Sequence, residues 1–151
     1  MTIQLYLRPK PTVKKKYKTH NPINFAISKQ DKDKIKYLSE LTIKALADGT
    51  NNSTDWYNAT FRTMHCVEIA KIEYTDETVA EVKEILNVFL KKEEQYAENP
   101  EWYKFTAEEV ELFKLIHDAM CDMFETTTRR TQLEAILITD KFMKRFLKKG
   151  W

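Results

Sequence analysis

Glycine is nearly absent: among 151 residues only Gly49 and Gly150 occur. Tight turns of positive φ, phosphate-cradling loops and two-residue β-hairpins all draw on glycine. A β-rich fold or a glycine-loop nucleotide site would therefore have to be built almost without it. Cysteine is just as scarce. Cys66 and Cys121 make no disulfide scaffold, and both fall in expected helices, so reduced thiols in a cytosolic protein are expected. No segment approaches the ~20 apolar residues of a membrane span, and the N-terminus has no apolar stretch suited to a signal peptide. A cytoplasmic location with no membrane partner follows as the expectation.

Acidic side chains are missing from both ends. Residues 1–30 carry seven Lys and Arg and no Asp or Glu; residues 141–151 carry five basic side chains and again no acid. All 23 carboxylates lie in residues 31–140, against 13 basic groups, a net charge of −10 that the whole-chain value of +2 conceals. An acidic body between two basic ends points either to neutralisation within the chain or across an oligomer, or to an anionic partner. The basic stretch "RPKPTVKKKYKTHNP", residues 8–22, holds three of the four prolines, which keep it extended. Before it, "IQLYL" at 3–7 alternates apolar and polar residues, consistent with one short strand or with an extended segment lying on helices.

What is abundant is Glu, Lys, Leu, Ala and Met in long runs, which favour helices. The first helix is expected over Asp31–Asp48, with Ile35, Leu38, Leu41, Ala45 and Leu46 as one stripe and Gly49 as its terminator. The second is expected from Ser53 or Thr54 to Tyr74; it is apolar around much of its circumference and so is expected to be central. The third starts at Thr75 or Asp76, after a connection so short that it must pack antiparallel to the second. Pro100 breaks it, and "TAEE" at 106–109 opens the fourth with a capping box. Phe113, Ile116, Met120 and Phe124 then share one side, whereas Leu133, Ile136, Leu137 and Leu147 fall on roughly the opposite side. The apolar face switches across "TTTRR", either at a kink between two helices, with Thr131 and Glu134 as a second capping box, or along one long helix. The second apolar face, within 133–147, then meets the N-terminal segment or another subunit. The fold class expected is all-α: an antiparallel bundle of four to five helices over 31–151, preceded by an extended basic arm over 1–30.

Motifs that carry chemistry are sparse. His117 and Cys121 are four apart on one helix face, and His65 and Cys66 lie in a helix expected nearby. Two nitrogens and two sulfurs suit tetrahedral zinc, but adjacent residues on a helix point about 100° apart, and the usual ligand spacings are missing. Buried Cys and core-edge His account for all four, so no metal and no cofactor are expected. As a nucleophile–base pair, Cys121 and His117 lack an orienting group and a helix-start position for the thiolate. Asp118 and Asp122 read as a solvated face rather than an acid–base pair. The chain is therefore expected not to be an enzyme.

Two binding roles remain. The cations Arg8, Lys10, Lys14, Lys15, Lys16 and Lys18 of the arm suit salt-dependent phosphate contacts, as do Lys144, Arg145, Lys148 and Lys149 in "KFMKRFLKKGW"; a body of net charge −10 opposes a duplex lying against it. The other role is protein binding. Aromatics number 18, and Trp56, Tyr57, Trp102, Tyr103 and Trp151 all fall at expected helix ends or loops, where Trp and Tyr serve as interface anchors. An acidic body also competes for surfaces shaped to hold nucleic acid.

"RPKP" at 8–11, "ALADGTNNSTDW" at 45–56 and "TTTRR" at 126–130 give the chain a layout that resembles a loose group of small helical accessory proteins of phages, prophages and other mobile elements. No activity or site residue carries over from that group. The resemblance implies an accessory protein acting in a bacterial cytoplasm, of a kind that includes regulators and inhibitors of host defence such as anti-CRISPR proteins. Together with the missing catalytic motifs, it sets the functional expectation: a non-enzymatic protein that inhibits or modulates a host protein complex, with a nucleic-acid-binding regulator as the alternative.

Overall fold

Five helices make up nearly all of the chain that the computed structural model describes, namely residues 4–11, 26–50, 52–96 and 104–147. They are α1 (Lys29–Asp48), α2 (Ser53–Glu73), α3 (Asp76–Tyr96), α4 (Ala107–Thr126) and α5 (Arg129–Leu147). With no strand among the described residues, the fold is an all-α bundle.

The helix ends follow local chemistry. The Ser28 hydroxyl accepts the Asp31 N–H at 3.2 Å, so α1 starts two residues before Asp31. Gly49 closes it at φ 70°, a left-handed conformation open to glycine at little cost. Asn52 and Asp55 form a capping box on α2, and Thr106 and Glu109 form the expected one on α4. The threonine run ends α4: Thr127 is extended and its hydroxyl donates to the Met123 carbonyl at 2.8 Å. Residues 107–147 are thus two helices. The cap of α5 is Thr128, whose Oγ1 accepts the Thr131 N–H at 3.3 Å, rather than Thr131 as the sequence suggests. The Thr131 hydroxyl turns instead to Glu73 Oε1, 2.9 Å away on α2.

Direction alternates along the chain, and α2 lies at the centre, packed against each of the other four helices. Eight consecutive residues, Thr63 to Ala70, are buried, so no side of that stretch faces water. Most of the polar groups here are satisfied locally: Thr63, like Thr60 before it, donates to a carbonyl one turn back, and Glu68 pairs with Lys71 at 2.9 Å, whereas His65 keeps one ring nitrogen unpaired. At one end of the core, Phe89 of α3 packs on Phe105 and Phe113, with ring centroids 5.1 and 6.4 Å away. The Lys92–Glu109 ion pair, at 2.8 Å and largely buried, closes that end between α3 and α4.

Residues 4–11 run extended over the α2–α3 turn. Thr75 N–H donates to the Arg8 carbonyl, Lys10 N–H donates to the Glu73 carbonyl, and the Thr78 hydroxyl donates to the Tyr6 carbonyl, all at 2.8–2.9 Å. The Arg8 guanidinium lies 3.1 Å from Glu81 and 3.5 Å from Glu77.

Removing Phe89 and removing Leu137 should differ sharply. Phe89→Ala empties the closed end of the core and is expected to cost about 3–5 kcal/mol; Leu137→Ala removes a side chain that is 56% exposed and is expected to cost under ~0.5 kcal/mol. Urea denaturation of the two variants measures the contrast.

Candidate functional site

α1 and α5 flank α2 without packing substantially against one another, and both turn apolar side chains into the gap. The turn each helix adopts is the reverse of what its hydrophobicity suggests. α1 meets the body through Ser39, Thr42 and Leu46, while Leu38 and Leu41 remain 49% and 47% exposed. The expected stripe of Ile35, Leu38, Leu41, Ala45 and Leu46 is therefore only partly a core face: Leu46 is buried and Ile35 half-buried. α5 buries Thr131, Gln132, Ala135, Thr139 and Met143 and leaves Leu133, Ile136 and Leu137 between 38% and 56% exposed. Small and hydroxylated side chains let α5 lie close to α2, and polar contacts fix its rotation. Gln132 Nε2 donates to Thr127 Oγ1 at 2.8 Å, and Thr131 holds Glu73. The apolar side of α5 has no room to turn inward.

The gap is a groove of about 630 Å³. Ile35 and Leu38 form one wall, Leu133 and Ile136 the other, and the buried Ile27 and Phe124 close its base. Lys34, Arg129 and Asp31 also line it. Leu38 is shared with an adjoining hollow of about 280 Å³, where Phe61, Phe113 and Arg62 meet α1.

Arg62 and His65 form the polar element beneath this surface. Arg62 Nη1 donates to His65 Nδ1 at 3.1 Å, which places the ring proton on Nε2. That nitrogen is buried and has no partner of good hydrogen-bond geometry, although Gln132 lies close enough to favour its charged form. Burial, and then the charge on Arg62, press the His65 pKa down to about 3, with Gln132 offsetting part of this. Burial also lowers the pKa of Arg62, and no carboxylate is among the groups that act on it.

The sequence-derived chemical candidates are dispersed. Cys66 is fully buried, its thiol pushed up to about 12 by desolvation, and it points to Met123 Sδ at 3.7 Å while His65 points to Arg62. His117 Nε2 and Cys121 Sγ do meet, at 3.9 Å. Burial raises the Cys121 thiol; Lys36 opposes this, and Asp118, Asp122 and Glu40 add to it, the reverse of what a thiolate nucleophile needs. Asp118 and Asp122 are exposed. Among the described residues no three His, Cys, Asp or Glu side chains gather where a metal ion could be held, and no helix is long and apolar enough to cross a membrane.

The binding candidates divide differently. Trp56 corrects the sequence reading: it is wholly buried and donates Nε1–H to the Phe89 carbonyl at 2.8 Å, so it builds the core and offers nothing to a partner. Tyr57 is half-buried against the core; burial and Asp140 raise its pKa, with Lys144 opposing. Lys10 Nζ donates to the Lys71 carbonyl at 2.7 Å, and Lys144 pairs with Asp140 at 2.8 Å; Arg145 is exposed. Trp102, Tyr103, Trp151, Lys14, Lys15, Lys16, Lys18, Lys148 and Lys149 lie outside the described residues. The groove itself was only half legible: the phase switch after Phe124 exposes α5's second face, but nothing in the sequence pairs that face with Leu38.

The chain matches no family model, and no curated protein or solved structure proves similar to it.

The His65 environment gives a pH prediction. Between pH ~6.5 and about 3 the unfolded chain binds a proton at this ring that the folded chain does not. Its contribution to stability is therefore complete above pH ~6.5 and is lost as pH falls toward 3, at up to about 1.4 kcal/mol per pH unit. His65→Gln is expected to flatten the acid limb of a plot of unfolding free energy against pH; an unchanged slope would contradict the assignment.

Proposed function

We propose that this chain is a non-catalytic binding protein that holds a protein partner along the groove between α1 and α5. The observation that carries this reading is the orientation of α5: it buries threonine, glutamine and alanine and presents Leu133 and Ile136 across a groove from Leu38. A contiguous apolar surface of this kind is what protein interfaces cover. The walls are helices with their backbone groups already bonded, so they offer side chains alone. A partner must satisfy its own backbone, which a helix does.

The alternative, a nucleic-acid-binding regulator, has less support. Arg8, Lys10 and Lys144 are each engaged within the chain, and a body of net charge −10 repels phosphate. The wider setting draws its support from the resemblance in "RPKP", "ALADGTNNSTDW" and "TTTRR" alone: a phage or other mobile element in a bacterial cytoplasm, a host protein complex as target, and counter-defence such as anti-CRISPR activity.

Capture from nuclease-treated bacterial lysate by the tagged chain, compared with a Leu38→Glu/Leu133→Glu variant, tests the reading. One substitution lies on each wall and both side chains are about half exposed, so circular dichroism should show an unchanged fold. A partner recovered stoichiometrically by the wild type is expected to fall at least about tenfold with the variant. Equal recovery by both forms would remove the groove from the function, and loss of all partners on nuclease treatment would favour the nucleic-acid alternative.

A further inference from the structure

Arg62 is a half-buried cation that the fold leaves without a carboxylate among the described residues. It lines the hollow that adjoins the groove, among Leu38, Leu41, Phe61 and Phe113. A guanidinium has five N–H donors. One of them goes to a neutral imidazole, and among the described residues no carboxylate pairs with it. Asp55, which borders the same hollow, is already held by the Asn52 N–H at 3.0 Å in the capping box of α2. A charge withdrawn from water without a counter-ion is costly unless something returns the lost interactions. Arg62 carries that cost beside an open apolar groove, in a body that is otherwise rich in carboxylates.

The geometry points to Arg62 as the specificity-determining residue of this face: it receives a carboxylate from an amphipathic helix of the partner, whose apolar side chains lie between Leu38 and Leu133. This rests on the binding reading above and adds the chemistry of the partner. Charge favours it: among the described residues lining the groove and hollow, the cations Lys34, Arg129 and Arg62 outnumber the acids Asp31 and Asp55, a local reversal of the sign of the body. Residues 1–30 and 141–151 contain no Asp or Glu, so neither end has a side chain that pairs with Arg62. A buried guanidinium bound in a fork to a carboxylate discriminates strongly against the neutral amide of the same shape, because the amide leaves the charge unpaired.

The test uses two synthetic amphipathic helical peptides with Leu at i, i+3 and i+7, identical except for one Glu or Gln within the apolar face, titrated into the full chain by fluorescence anisotropy. The Glu peptide is expected to bind at least about tenfold more tightly than the Gln peptide. Arg62→Met, which keeps the unbranched stem, should abolish that preference while circular dichroism shows the fold retained, His65 Nδ1 losing its donor at some cost in melting temperature. Arg62→Lys should keep part of the preference, having the charge without the fork. Four results overturn the inference: equal binding of the two peptides, binding of neither, saturable binding of decanoate in place of both, or a Glu preference that survives Arg62→Met. Sedimentation as a dimer that Leu133→Glu dissociates would put a second copy in the groove and overturn it as well. Equal binding of the two peptides that Leu38→Glu/Leu133→Glu removes leaves the groove as the binding face and rejects Arg62 alone.

Discussion

One helix surrounded on every side sets the arrangement of the rest. From Thr63 to Ala70 α2 has no exposed residue, so helices must cover it all round, and α1, α3, α4 and α5 each take a sector. Apart from one ring nitrogen of His65, its buried polar groups do not oppose this. The threonine hydroxyls return to their own helix, and Glu68 finds Lys71 one turn along. Close approach is what α2 demands of its neighbours, and α5 meets it with Ala135 and Thr139 rather than with its leucines.

The groove is a by-product of that demand. Because α5 is turned small side inward and pinned by Thr131 and Gln132, its leucine and isoleucine side stands outward. Because α1 meets the body through Ser39 and Thr42, Leu38 faces across the same gap. Rotating α5 would break the hydrogen bonds of Thr131 to Glu73 and of Gln132 to Thr127. An apolar surface of this kind arises from packing and is then available for recognition.

How much of this was legible in the sequence depends on which interactions are local. Helix ends were readable because caps are local: Gly49, the Thr106–Glu109 box and the threonine run each act within a few residues. The centrality of α2 followed from its all-round apolar pattern. The phase switch after Phe124 also held, and of the two arrangements it left open, two helices rather than one long one are present. What failed were inferences about single side chains whose partner lies elsewhere in the chain. Trp56 sits at a helix start and so read as peripheral, yet the Phe89 carbonyl and the aromatic end of the core enclose it. Thr131 read as a cap, yet Glu73, 58 residues away, takes its hydroxyl. Arg62 carried no signal at all, because a missing counter-ion is a property of three-dimensional surroundings. The basic arm was only partly decided by charge counting: Arg8 lies against Glu77 and Glu81, as an acidic body with basic ends allows.

The alternation of the five helices has one more result. α1 starts beside Thr128, where Ala26 bridges to the α4–α5 turn, and α5 starts one residue later, so the two walls of the groove run the same way. Their positive dipole ends lie together at one end of the groove, and their negative ends at the other. A helix lying between them is therefore polarised before any side chain is read: its carboxyl end is favoured beside Lys29 and Arg129, its amino end at the opposite mouth. The groove has a polarity as well as a shape, and an inverted sequence with the same composition would meet it the wrong way round.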